Sequence, residues 1–258
     1  VHKINSSIAD EAEQHFSNTM FSCALSCYFD SSVDALAKWG SQQSLHLWTG
    51  QHVSNVLYAW AILSATAGGD TASMGKLAQH LFAEASRRGV AAFKADPEWR
   101  HDMGKLFSAH QEAQHLCLPG GGVSDSALIQ AVHDHMAGRV EAMSKELSGA
   151  SASVAAALQG VYEVQAATVQ GYHTLLVHHP SCPRGIALEV THPFQAYLRH
   201  PPDRVYGRAA LRQEQMKRVC DGAVLCDGSE IEGKSGEQLR ELLVQRIEQA
   251  ARGRDAVL

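Results

Sequence analysis

Between residues 199 and 218 stand six cations, Arg199, Arg204, Arg208, Arg212, Lys217 and Arg218, against only Asp203 and Glu214. The local balance is +4, whereas the whole chain carries −5. A cationic helix set between two buried strands is a seat for phosphate, although a solvated helix face has the same charge pattern. Tyr197 just before the cations and Tyr206 among them could stack on bases, with Trp48 as a more distant third aromatic. One carboxylate, Glu189, precedes the basic run in the apolar stretch Ile186-Ala187-Leu188-Glu189-Val190. Hydrolysis with a divalent cation needs two or three convergent carboxylates and a nearby Lys. Glu189 has no such company, so it is expected to pair with an arginine and the chain is expected to be non-catalytic.

Other chemistries find less support. Gly228-Ser229-Glu230-Ile231-Glu232-Gly233-Lys234-Ser235 fits the G-x-x-x-x-G-K-S phosphate-loop pattern between a strand and a helix. Glu230 and Glu232, however, put negative charge where phosphates must lie. Most of the fifteen histidines are isolated, and His133 and His135 fall on different sides of a helix, so no metal and no cofactor are expected. The six cysteines form no C-x-x-C pair, which favours a reducing compartment. Cys23 and Cys27, four apart, are expected to pack in a core. No apolar run reaches the length of a membrane span, and the residues from Val1 onward do not follow the order of a secretory signal.

The elements that must hold the basic run can be read from periodicity. The first half repeats: His15 to Leu25 aligns with His52 to Ile62 at an offset of 37, with His, Ser, Asn and Ala at matching places. Val33, Leu36 and Ala37 recur as Met74, Leu77 and Ala78, and a degraded third copy begins near His101 with Leu106, Phe107 and Ala109. Each unit reads as two helices, the mark of an α-solenoid in which a repeat buries its apolar face against its neighbour. Tyr58 and Trp60 are assigned to the repeat core. Leu118-Pro119-Gly120-Gly121-Gly122 is a strong breaker. Beyond it, Ser124 or Asp125 caps a helix to about residue 147, apolar at Leu128, Val132, Met136, Val140 and Met143. The last third reads as a helix (153–160), strands at 161–169, 172–178 and 186–191, a helix at 205–219, a strand at 223–226 and a final helix through Leu239, Leu242, Leu243 and Ile247. Gln170-Gly171 is a hairpin turn. In the 205–219 helix Leu211 and Met216 point inward and the arginines outward. The fold class is α+β, with helical-hairpin repeats over 1–118, a linker and connecting helix over 119–152, and a mixed sheet flanked by helices over 153–258.

Two resemblances attach to these patterns. The Ser-Asn-x-Leu-Tyr-Ala-Trp-Ala helix around Asn55, with its period near 38, resembles the octotricopeptide repeat, an organellar RNA-binding helical repeat; the likeness covers roughly residues 10–115. Residues 154–248 resemble the RAP domain, an RNA-associated module with a restriction-endonuclease-like fold. Glu189-Val190 and Pro193, then Gly207, Leu211 and Arg212, then Gly222-Ala223-Val224-Leu225 match its three patterns. Thr191-His192 replace the usual Asp-Gly, Gln195-Ala196 the usual His-Phe, and no Lys follows Glu189 by two.

These likenesses imply a non-catalytic organellar RNA-binding protein held in a ribonucleoprotein, most concretely against rRNA and neighbouring proteins of a mitochondrial ribosome. Two or three repeats are too few to read a long RNA sequence. A free transcript-specific maturation or stability factor, a residual nuclease and a protein-interaction scaffold are the alternatives, and plastid is the alternative to mitochondrion. The RNA contacts are expected at Arg208 and Arg212, then Arg199, Arg204, Lys217, Arg218, Tyr197 and Tyr206.

Overall fold

Residues 50–66 are apolar or small on nearly every face, and a helix of that kind must be covered all round. A computed structural model, describing residues 2–67, 71–97, 99–146, 148–191 and 205–253, shows how this is done. Helix α3 (Gly50–Thr66) is buried at every position from Gly50 to Leu63 except Gln51. It packs against α1 (His2–Leu25), α4 (Ala72–Lys94) and α5 (Trp99–His115), while α2 (Ser31–Gly40) packs on α4. The sequence repeat therefore becomes two helical hairpins, α1–α2 and α3–α4. Their aligned positions do the same work: Phe16, Ser17, Met20 and Ala24 are buried in α1, as are Val53, Ser54, Leu57 and Ala61 in α3. Leu106, Phe107 and Ala109, from the degraded third copy, are buried on α5.

Local chemistry sets the ends. Asp30 caps α2 through the amides of Ser32 and Val33, and Thr49 forms a reciprocal capping box with His52 at the start of α3. Helix α4 kinks at Gly89, whose φ of 67° a side chain would resist. Cys23 and Cys27 depart from expectation: α1 ends at Leu25, Cys27 sits beyond it in left-handed backbone, and both are only half-buried. Helix α6 (Ser126–Glu146) starts at Asp125, whose carboxylate accepts from the Leu128 amide 2.7 Å away, and buries Leu128, Val132 and Met136.

The chain divides into two units, Val1–Met136 and Ala137–Leu258, so the Leu118–Gly122 breaker turns inside the first. In the second, α7 (Ser148–Leu158) leads into β1 (Glu163–Val169), β2 (Tyr172–His179) and β3 (Cys182–Thr191). Then come α8 (Gly207–Lys217), β4 (Gly222–Asp227), the single turn α9 (Gly228–Ile231) and α10 (Gly236–Ala251). The sheet order is β1-β2-β3-β4, antiparallel except for the parallel pair β3–β4. Gln170 and Gly171 both take positive φ, the requirement of the type I′ hairpin. Leu175, Val177, Ile186, Leu188, Val190, Val224 and Cys226 form one sheet face, covered by Val154 and Leu158 of α7 and by Leu239, Leu243 and Ile247 of α10. The other face meets α8 through Ala209 and Leu225. The molecule is a mixed α+β protein, helical in its first unit and built on a four-stranded mixed sheet in its second.

One ion cluster makes the first unit sensitive to acid. Glu84 on α4 accepts from Arg87 (2.6 and 2.7 Å) and Arg88 (2.7 Å), and Arg88 also donates to the carbonyls of Trp48 and Leu45. The Arg87 hydrogen bond, then that of Arg88, holds the Glu84 carboxyl down to about 2 against the opposing push of burial. A depressed carboxyl stabilises the fold above its unfolded value near 4.5 and loses that contribution as pH falls towards 2. Urea midpoints measured down this range are expected to fall, and to fall less steeply in Glu84→Gln; an unchanged slope would remove Glu84 from the account.

Candidate nucleic-acid interface

The β3 strand alternates its side chains between the faces of the sheet. Ile186, Leu188 and Val190 take the face under α7 and α10, which leaves Glu189 on the face under α8. Glu189 is 3% exposed, and a buried carboxylate needs a partner. Arg212 of α8 supplies it, donating from Nη1 to Oε1 of Glu189. The guanidinium carbon of Arg212 also lies 5.0 Å over the ring of Tyr172 on β2. Tyr172 in turn donates to Gln215 Oε1 at 3.3 Å, and Gln213 and Gln215 are buried on the inner side of α8. The pairing of Leu175 with Leu188 brings Thr174, which carries no charge, beside Glu189. Thr174 donates to the Leu188 carbonyl at 2.7 Å instead. Among the described residues no three His, Cys, Asp or Glu side chains gather to hold a metal ion.

The pairing of Glu189 with an arginine matches the sequence reading, but the outward direction of the arginines fails for Arg212. Its side chain is 20% exposed and its head turns into the protein, because Glu189 would otherwise be a buried unpaired charge. The other cations separate. Arg208 is exposed near the start of α8. Lys217 bonds Glu214 at 2.7 Å. Arg218 is half-buried, and its carbonyl accepts from Arg184, which is itself paired with Asp221 at 2.7 Å. Tyr206 is half-buried at the N-cap of α8, where burial raises its hydroxyl and the Arg208 charge partly offsets the rise. Arg199, Arg204 and Tyr197 lie outside the described residues. Trp48 cannot stack on a base: it is 2% exposed, against the rings of Phe16 and His52. Tyr58 and Trp60 are core, as read from the repeat. Trp39 and Tyr28 are the exposed aromatics of the first unit, and nothing in their spacing had marked them.

The charge is also unequally shared. The first unit holds eight Lys and Arg against thirteen Asp and Glu, which is the entire −5 of the chain; the second holds fourteen of each. Net charge alone therefore favours the second unit over the first as a surface for a polyanion.

The phosphate-loop letters fold into something else. Asp227 caps α9 by accepting from the Ser229 amide (2.8 Å), and Glu230 returns to the Asp227 amide (3.0 Å). Arg246 of α10 holds Glu230 through two bonds of 2.8 and 2.9 Å. The Glu232 amide donates to Gly228 and the Lys234 amide to Ile231. Amides tied in this way do not form a cradle for a triphosphate.

A further cluster escaped the sequence reading. Ser181 Oγ lies 2.8 Å from His179 Nδ1, and His179 Nε2 lies 3.1 Å from Glu248 Oε1. The order is that of a hydrolase triad, but the Ser181 amide donates to the same Nδ1 at 3.2 Å and cannot serve an oxyanion. Tyr162 also donates to Glu248 (2.8 Å), and burial followed by that carboxylate pushes its hydroxyl up to about 12. The arrangement ties the β2–β3 turn to α10. Set against known proteins, the chain matches no family model, no curated protein and no solved structure.

Proposed function

We propose that this chain is a non-catalytic RNA-binding component of an organellar ribonucleoprotein. Its first unit would be a short stack of octotricopeptide-type hairpins and its second a RAP-type module. The observation that carries the reading is the fate of the charges on and under α8. Glu189, a buried carboxylate on the sheet face under α8, is closed off by Arg212, while Arg208 stays exposed on the same helix. A nuclease-like sheet with its acid occupied and a cation beside it can hold a phosphodiester without cutting it. The acidic first unit then faces protein neighbours rather than RNA. A component lodged against rRNA in a mitochondrial ribosome fits this division better than a free factor that reads a long transcript.

Binding of single-stranded RNA to the purified chain tests the reading. The pair Arg208→Glu and Arg218→Glu is expected to weaken binding at least tenfold, on the order of 1–3 kcal/mol, to a similar degree for unrelated sequences. The dependence on salt should also become shallower. Wild-type binding equal to that of the charge-reversed chain would remove α8 from the interface. Magnesium-dependent RNA cleavage abolished by Glu189→Gln would replace the reading with a nuclease. Sedimentation of organelle extract separates the settings, since a ribosomal component travels with a subunit and a free factor does not.

A further inference from the structure

The phosphate-loop letters that fail to form a loop still place one lysine at the mouth of a cleft. The cleft, about 370 Å³, lies between α7 and the start of α10. Its floor is Ala157, Ile231 and Leu239, and its rim carries Lys234 and Arg240. Among the described residues no carboxylate lines it. Lys234 is exposed on the short link between α9 and α10, held there by the left-handed turn at Gly233. Arg240, one turn into α10, donates from Nε to the Ala157 carbonyl at 2.8 Å. That bond lies at the C-terminal end of α7, where carbonyls attract cations, and it fixes the guanidinium while leaving both Nη groups for a ligand. At the start of α10, Ser235 and Gln238 cap each other's amides at 3.1 and 3.3 Å. The charges that meet an anion here are those of the two side chains, Lys234 and Arg240.

The geometry points to a subsite for one nucleotide of a single-stranded RNA, with its phosphate between Lys234 and Arg240 and its base or ribose on the apolar floor. The volume lies at the small end of the range of ligand pockets, which suits one nucleotide and excludes a duplex. Two cations and no acid give the charge complement of a phosphodiester. An apolar floor beside a guanidinium takes a base without reading its sequence. The inference rests on the RNA-binding reading and deepens it, adding a second contact on the α7–α10 side of the sheet, opposite to α8.

Fluorescence anisotropy with a labelled single-stranded oligoribonucleotide tests it, using the full chain and the variants Lys234→Glu, Arg240→Glu and Arg240→Lys. Both reversed residues are exposed, and circular dichroism checks that the fold persists. Each reversal is expected to weaken binding about tenfold, and Arg240→Lys less than Arg240→Glu. A 4-thiouridine strand is expected to crosslink to residues 153–157 or 231–240. RNA held equally by the wild type and all three variants overturns this subsite alone and leaves Arg208 in place. A wild-type chain that holds no RNA overturns both readings. Saturable binding of free AMP that the reversals abolish, with RNA binding untouched, marks a mononucleotide site and overturns the assignment to an RNA strand.

Discussion

Replacing Arg212 by Leu is expected to cost the second unit about 3–5 kcal/mol, the usual loss when one partner of a buried ion pair is removed. Glu189 is 3% exposed, and among the described atoms its Oε2 has no hydrogen-bond partner, so Arg212 is the cation that makes its burial tolerable. The cost should appear as a lower urea midpoint with an unchanged slope. Removing both charges, as in Glu189→Leu with Arg212→Leu, should restore most of it, because a buried ion pair is worth little more than apolar side chains of similar volume. Arg208→Glu, on the same helix but exposed, should leave the midpoint within about 0.5 kcal/mol. The double variant also separates structure from recognition. If Arg212 serves Glu189 alone, the refolded double variant binds RNA as the wild type does. A stable double variant that has lost RNA would return Arg212 to the interface.

Arg212 also marks the limit of what periodicity can tell. Leu211 and Met216 identify the inner stripe of α8, and both are buried. Arg212 sits at the margin of that stripe, and a long side chain at a margin can turn its head either way. Only the neighbour on β3 decides, and no spacing within α8 encodes it. The same holds for Gln215, a polar residue that is buried where the facing sheet offers the Tyr172 hydroxyl. Where a local rule suffices, the sequence was legible: the Gln170-Gly171 turn and the strands around it need only left-handed backbone and alternation. Strand β3 begins at Cys182, four residues before the apolar run suggests, since Pro183 and Gly185 hide it. Gly185, with a φ of 74°, sits against Leu176 where the β2–β3 register shifts. The repeat in the first half was legible as helices. What the Ser54-Asn55 pair does was not, because its partners, Asp102 and Lys105, come from α5, where the repeat is degraded and the pattern marks only apolar positions.

Those partners define the second large effect. Ser54 donates to Asp102 Oδ1 at 2.7 Å, and Lys105 donates to Asn55 Oδ1 at 2.6 Å and to the same Asp102 oxygen at 3.2 Å. Asp102 is fully buried, and among the described atoms its Oδ2 has no partner. Lys105 also stands 5.6 Å over the ring of Phe21, so one ammonium links α1, α3 and α5. Lys105→Met keeps the apolar stem but strands the carboxylate, and is expected to cost about 3–5 kcal/mol. Asp102→Asn in the same chain should recover more than half of that, because an amide can still accept from Ser54 without carrying charge. Asn55→Ala removes an acceptor but no charge and should cost only about 1–2 kcal/mol. If Lys105→Met proves no worse than Asn55→Ala, the ammonium does not neutralise Asp102. The Ser54-Asn55 pair would then join α3 to α5 through hydrogen bonds alone. If Lys105→Met is much the worse, the repeat has turned a helix-to-helix seam into a charged lock, and that lock fixes α5 against the two hairpins before it.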